Sequence, residues 1–132
     1  MKYRSSGRSV SELRAHLVLT TKYRRKAMSP AVLKRLTELV DHLCQRWGCQ
    51  LIEFNGEADH VHLLFGYYPQ LHLSKFVNNL KTVTSRMIRK EFASHLRRYY
   101  RKPVFWNSSY YVGSCGGVTV EMLKKYVQSQ GQ

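Results

Sequence analysis

Alternation of apolar and polar positions is sharpest from Asp59 to Phe65. In an extended chain Val61, Leu63 and Phe65 fall on one side, and His60, His62 and Leu64 on the other. One side suits a core, while the other carries two imidazoles about 7 Å apart along the backbone, close enough for both rings to reach one metal ion. The same period of two marks a first strand over 12–21, with Leu13, Ala15, Leu17 and Leu19 set against Arg14, His16, Val18 and Thr20. His16 lies on its less apolar face. A helical period then takes over. Ser29 and Pro30 supply a cap and a first-turn proline, and Val32, Leu33, Leu36, Leu39, Val40, Leu43, Cys44 and Trp47 form one stripe that stops at Gly48. Cys49 to Phe54 reads as a strand, and a turn near Asn55 and Gly56 joins it to the histidine strand as a hairpin. A second helix is expected over 74–95, buried through Phe76, Val77, Leu80, Val83, Met87, Ile88 and Phe92. Its other face (Lys75, Asn78, Asn79, Thr82, Arg86 and Arg89) carries no acid. Pro103 breaks the chain before short strands over 104–106 and 110–112. Gly113, Gly116 and Gly117 suggest a swivel. A last helix over 118–131, capped by Thr119, puts Tyr126 and Gln130 four residues apart on one face.

Strand, helix, strand, strand, helix, strand predicts an α+β fold of the ferredoxin-like kind, an antiparallel sheet with two helices on one face and a C-terminal helix added. Its first and third strands lie side by side in the middle. Val61, Leu63 and Phe65 must then face the helices, leaving His60 and His62, with His16 nearby, on an otherwise bare open face. An RNA-recognition module has the same topology but sets aromatic residues at those central positions to stack bases, so histidines there favour metal chemistry.

The length of 132 residues predicts a single domain over 1–132 with a loose basic arm over 1–10. No apolar run approaches the roughly 18 residues of a membrane span, and the N-terminus lacks the apolar segment of a signal peptide, so a cytoplasmic protein without membrane attachment is expected. Three cysteines, Cys44, Cys49 and Cys115, agree with a reducing compartment and act as small apolar fillers. Charge adds a partner. Twenty-two Lys and Arg against eight Asp and Glu give a net charge of +14, which points to a polyanion and first to nucleic acid. Lys22-Tyr23-Arg24-Arg25-Lys26 and Arg97-Arg98-Tyr99-Tyr100-Arg101-Lys102 mix cations with rings able to stack a base. The few acids, with Glu53, Glu57 and Asp59 the only local cluster, argue against a two-metal carboxylate site.

His60-Val61-His62, Thr20-Thr21-Lys22-Tyr23-Arg24, the segment Trp106 to Tyr111 and the helix from Lys125-Tyr126 through Gln130 closely resemble the single-tyrosine HUH transposases. These are the TnpA-type enzymes of insertion sequences that move as single-stranded DNA, and REP-associated tyrosine transposases are close to them. The resemblance spans nearly the whole chain, with Ala58 standing where a proline is common. It implies that Tyr126 attacks a scissile DNA phosphate to form a 5′-phosphotyrosine, that His60, His62 and the Gln130 amide oxygen hold Mg²⁺ or Mn²⁺, and that the ion polarises the phosphoryl oxygen. It also implies a homodimer whose subunits share active sites, and single-stranded DNA hairpins at element ends as substrate. Lys22, Arg24, Arg25, Lys81, Arg86 and Arg89 are the expected DNA contacts. Two rivals stand beside this expectation: a host-domesticated relative that processes palindromes by the same chemistry, and a single-stranded nucleic-acid-binding module without catalysis. A relaxase or replication initiator is expected to be longer.

Overall fold

The computed structural model describes residues 13–114 and 120–130, with the backbone alone for 120–124. The order is β1 (Leu13–Thr20), a single 3-10 turn (Lys22–Arg24), α1 (Pro30–Arg46), β2 (Gln50–Gly56), β3 (His60–Tyr67), α2 (Leu73–Glu91), α3 (Ala93–Leu96), β4 (Tyr111–Ser114) and α4 (Val120–Ser129). The strands form one antiparallel sheet in the order β2-β3-β1-β4, the α+β arrangement expected, with β1 and β3 in the middle.

Pairing of β1 with β3 sets Ala15 opposite Phe65, Leu17 opposite Leu63 and Leu19 opposite Val61. All six are essentially inaccessible to solvent, and they meet Leu36 and Val40 of α1 and Phe76, Leu80 and Ile88 of α2 in one core. The Phe65 and Phe76 rings pack edge to face at 5.2 Å. Each such side chain contributes about 1.5–3 kcal/mol by leaving water. The ends of α1 follow from local chemistry: Ser29 Oγ accepts from the Val32 N–H at 3.2 Å. At the other end Gly48 adopts φ 73°. There the Gly48 N–H donates to Gln45 O and the Cys49 N–H to Cys44 O, a Schellman closure that favours glycine at the left-handed position.

Several expectations are corrected. Asn55 and Gly56 belong to β2, and the hairpin turns at 57–59; a bulge between Leu51 and Glu53 shifts the register. The second helix ends at Glu91, because Phe92 leaves helical geometry (φ −119°, ψ 35°), and a separate short α3 follows. Val83, Met87 and Phe92 are only half-buried, whereas Thr84 is fully buried in their place. Val104 to Trp106 is not a strand. The segment nevertheless runs beside the end of β1, since Lys22 N–H donates to Phe105 O and Asn107 N–H to Thr20 O, each at 2.8 Å. Trp106 is fixed by its indole N–H, which donates to Thr84 Oγ1 at 2.9 Å. The last strand lies over Tyr111–Ser114 rather than 110–112. Nor is the second sheet face bare: α4 lies against β1, Val18 is fully buried there and Val127 is buried on the helix side. The basic arm, the Thr119 cap, Cys115, Gly116 and Gly117 lie outside the described residues.

Candidate active site

The hairpin of β2 and β3 presents His60 and His62 on the face away from α1 and α2, as their spacing predicts. Their rings lie nearly parallel (16°) with centres 6.4 Å apart. His60 is oriented by its own neighbour: Asp59 Oδ1 sits 2.8 Å from His60 Nδ1. An ionised carboxylate can only accept, so Nδ1 carries a proton, and in the neutral ring the lone pair is then on Nε2. Asp59 Oδ2 in turn accepts from Arg24 Nε at 2.9 Å, and the Arg24 guanidinium also donates to the carbonyl of Gln128 on α4 at 3.3 Å. Burial works against the Asp59 charge, but hydrogen bonds from Arg24 and His60 outweigh it and hold the carboxyl below its ordinary value. On His62, burial lowers the imidazole below its usual value, and His60 and His16 push the same way. A neutral ring has a free lone pair to give.

Arg24 reaches Asp59 because the chain turns sharply. Tyr23 and Arg24 are both left-handed (φ 58° and 54°), a conformation costing non-glycine residues on the order of 1 kcal/mol or more each. The Asp59 carbonyl is held by the Thr21 N–H at 3.0 Å, and the Thr21 hydroxyl donates to Arg25 O at 2.6 Å, which ties the turn to the hairpin.

The sheet register places the remaining groups. Thr20 is opposite His60 and Val18 opposite His62, while Tyr111 of β4 is opposite Val18 on its other side. His62 and Tyr111 therefore face the same way two strand spacings apart, about 10 Å. The Tyr126 ring packs on Tyr111 at 5.5 Å. Its hydroxyl is shielded from solvent and makes no well-aligned hydrogen bond. Burial raises the phenol above its ordinary value, with Ser109 nearby pulling weakly the other way. Gln130 Oε1 accepts from Ser109 Oγ at 2.6 Å and from the Asn107 amide. Because Asn107 is also bound to Thr20, Gln130 is held at the end of the sheet where His60 begins. Gly113 was expected to act as a swivel, but it lies in β4, and a Cβ there would come within 2.5 Å of the Tyr111 hydroxyl. Its missing side chain makes room for the ring beneath Tyr126.

The two histidines fit a divalent cation. They are imidazoles on one face, Asp59 orients one ring and burial favours the neutral form of the other, and each ring would turn a nitrogen toward the shared ion. Among the described residues no three His, Cys, Asp or Glu side chains form a complete cage, so an amide or the DNA itself would complete the shell. The expected DNA contacts divide. Arg24 is paired with Asp59. Lys81 donates to Ser108 O at 2.8 Å and sits over the Tyr110 ring. Arg86 lines a groove between α1 and α2, on the helix layer away from the histidines, and Arg89 lies near Arg97 and Arg101. Lys22 and Arg25 flank the exposed Tyr23 ring. Asp59, Asn107, Ser109 and Tyr111 were given no individual role by the sequence; the signals were an acid directly before a His-x-His strand and, for the other three, their place in the family-like segment Trp106 to Tyr111.

The family described as IS200-like transposases matches residues 9–130. The chain belongs to that family. This transposase is 30% identical over 115 residues to the transposase of insertion sequence element IS200 from Salmonella typhimurium, covering 87% of the chain and 74% of that relative. It is 27% identical over 121 residues to the ISDra2 transposase TnpA of Deinococcus radiodurans, covering 92% and 86%. A crystal structure described as a candidate transposase from Deinococcus radiodurans superposes with a TM-score of 0.86 at 30% identity over 98% of both chains. A REP-associated tyrosine transposase bound to a REP hairpin shares the fold at TM-score 0.56 and 8% identity, over 96% of this chain and 66% of that one. The transposase is thus an enzyme of DNA cleavage and strand transfer. None of its described helices is long and apolar enough to cross a membrane.

Proposed function

We propose that this transposase cuts and rejoins single-stranded DNA at insertion-sequence ends, with Tyr126 as nucleophile and His60 and His62 as ligands of one Mg²⁺ or Mn²⁺. The observation that carries this is the placing of Tyr126 and Gln130, from the end of the chain, on the same sheet face as the two histidines. In the cleavage step the Tyr126 oxygen forms a bond to the scissile phosphorus while the bond from phosphorus to the 3′ oxygen breaks. The phenol proton passes to solvent and the departing oxygen takes one up as a 3′ hydroxyl. The resulting tyrosine ester keeps the phosphodiester energy, so a 3′ hydroxyl from another strand can reverse the step. When bound, the ion would act as a Lewis acid on the phosphoryl oxygen. Asp59 orients the His60 ring through Nδ1, and Asn107 and Ser109 hold the Gln130 amide oxygen at the end of the sheet where His60 begins. Hairpin DNA as the substrate form is supported by the REP hairpin held by the structural neighbour. The proposed partner is a second copy of the chain in a homodimer; within one chain α4 packs against its own β1, so sharing of the two sites would require the tyrosine helices to exchange.

The test is incubation with single-stranded hairpin DNA from the flank of the gene, with Mn²⁺ or with EDTA, followed by denaturing gels. A covalent adduct that needs metal and vanishes in Tyr126→Phe and His60→Ala is expected. Tight binding without an adduct under all conditions would overturn the catalytic assignment in favour of a binding module.

A further inference from the structure

Beside the active site lies a second feature that the cleavage chemistry does not use. The turn after β1 sends its side chains to two places. Arg24 goes inward to Asp59, whereas Tyr23 and Arg25, on either side of it, go outward. Tyr23 is 56% exposed, one of the few large hydrophobic side chains left in water. It faces a groove of about 640 Å³ that Arg25, Tyr100, Arg97, Arg101 and Lys102 also line, and no acid lines it.

The groove is organised. The Arg25 guanidinium lies between two rings, 5.1 Å from the centre of Tyr23 and 5.5 Å from that of Tyr100, and donates to the Tyr99 carbonyl. Tyr100 is anchored by its hydroxyl, which donates to Lys22 O at 2.8 Å. The Lys22 ammonium is 5.4 Å from the Tyr23 ring. The two successive left-handed residues that bring Arg24 inward to Asp59 also leave the Tyr23 ring outward.

We infer that this groove is a non-catalytic subsite for an unpaired nucleotide of the DNA strand, with the base stacked on Tyr23 and the flanking phosphates on Arg25, Arg97 and Arg101. The inference rests on the proposed single-stranded substrate and names where that strand is gripped. A ring that is 56% exposed, with mobile cations over it, offers stacking that an unpaired base can use and a base inside a duplex cannot. Guanidinium groups around the ring supply the phosphate contacts. The volume falls within the range that holds a compact ligand of nucleotide size. Arg24, between the two outward residues, pairs with Asp59, which in turn orients His60, so one turn carries both the groove and a support of the histidine face.

The test uses full-length protein carrying Tyr126→Phe, so that binding is measured without covalent trapping, and a short single-stranded oligonucleotide containing 2-aminopurine. Tyr23→Ala is expected to weaken binding about 5- to 100-fold and to abolish the fluorescence quenching of the stacked analogue, with the salt dependence unchanged. Tyr23→Phe should restore both. Arg97→Ala should instead lower the slope of log affinity against log salt by about one. Tyr23→Ala binding as tightly as its parent, or duplex DNA of the same length competing as well as the single strand, would overturn the subsite. Adduct formation by the wild-type chain is scored separately, so a failure of the catalytic assignment and a failure of the subsite give different results.

Discussion

Asp59→Asn separates orientation from charge at the histidine pair. Asp59 presents one oxygen to His60 Nδ1 at 2.8 Å and the other to Arg24 Nε at 2.9 Å. An amide of the same shape keeps only one acceptor. If its oxygen stays on Arg24, its NH₂ faces Nδ1 and the imidazole must change tautomer, moving the proton to Nε2 and covering the lone pair needed for an ion. If the amide turns round, Arg24 faces an NH₂ and its attachment to α4 loses its other anchor. Partners that orient metal-binding histidines typically carry 10- to 100-fold in metal affinity. The stability cost is smaller, because the Asp59 and Arg24 side chains keep 12% and 31% of their exposure. That puts the pair between a surface and a buried ion pair, about 1–2 kcal/mol, or a Tm lowered by roughly 3–8 °C for a domain of this size. The assay is a Mn²⁺ titration of adduct yield at saturating DNA, with calorimetric Mn²⁺ binding and thermal unfolding alongside. The expected result is a metal midpoint shifted 10- to 100-fold upward and a modest fall in Tm. An unchanged midpoint in a variant that binds DNA and folds normally would refute the role given to Asp59.

Two further predictions concern the supports of α4 and β4. Gly113→Ala should displace the Tyr111 ring, whose hydroxyl lies 2.5 Å from the new Cβ, and with it the packing of Tyr126; a loss of about 1–3 kcal/mol in denaturant unfolding and a slower adduct are expected, and wild-type behaviour in both would show that the ring simply swings away. Trp106→Phe removes the indole donor to the buried Thr84 hydroxyl, with an expected cost of about 1–2 kcal/mol in the same unfolding measurement.

How far the site could be seen in the sequence depended on distance along the chain. The two faces of β3 follow from a period of two, and the cap and stop of α1 from Ser29, Pro30 and Gly48, all of them local rules. Thr84 read as a polar position because nothing nearby announced Trp106, twenty-two residues on, as its partner. The break at Phe92 was hidden for a similar reason, since residues 93–95 continue a helical pattern while the backbone has already turned. Arg24 looked like one more free cation in a basic cluster. Its pairing with Asp59 across thirty-five residues was set by the β1 to β3 register, which no local pattern contains.

That register also bears on synthesis. Of the described strands β1 is made first and ends at Thr20, yet it lies between β3, complete only at Tyr67, and β4, complete only at Ser114. At about 5–20 residues per second, some 5–20 s pass between the emergence of β1 and that of its second neighbour. Through that interval an apolar strand carrying Leu17, Val18 and Leu19 has at least one unpaired edge, and its contacts with β4, from Ala15 with Ser114 to Val18 with Tyr111, close a long loop, a topology that folds slowly. The nascent transposase therefore depends on β3 and the helices to shelter β1 before the tyrosine helix exists, so the chain completes its histidine hairpin well before it can acquire a nucleophile.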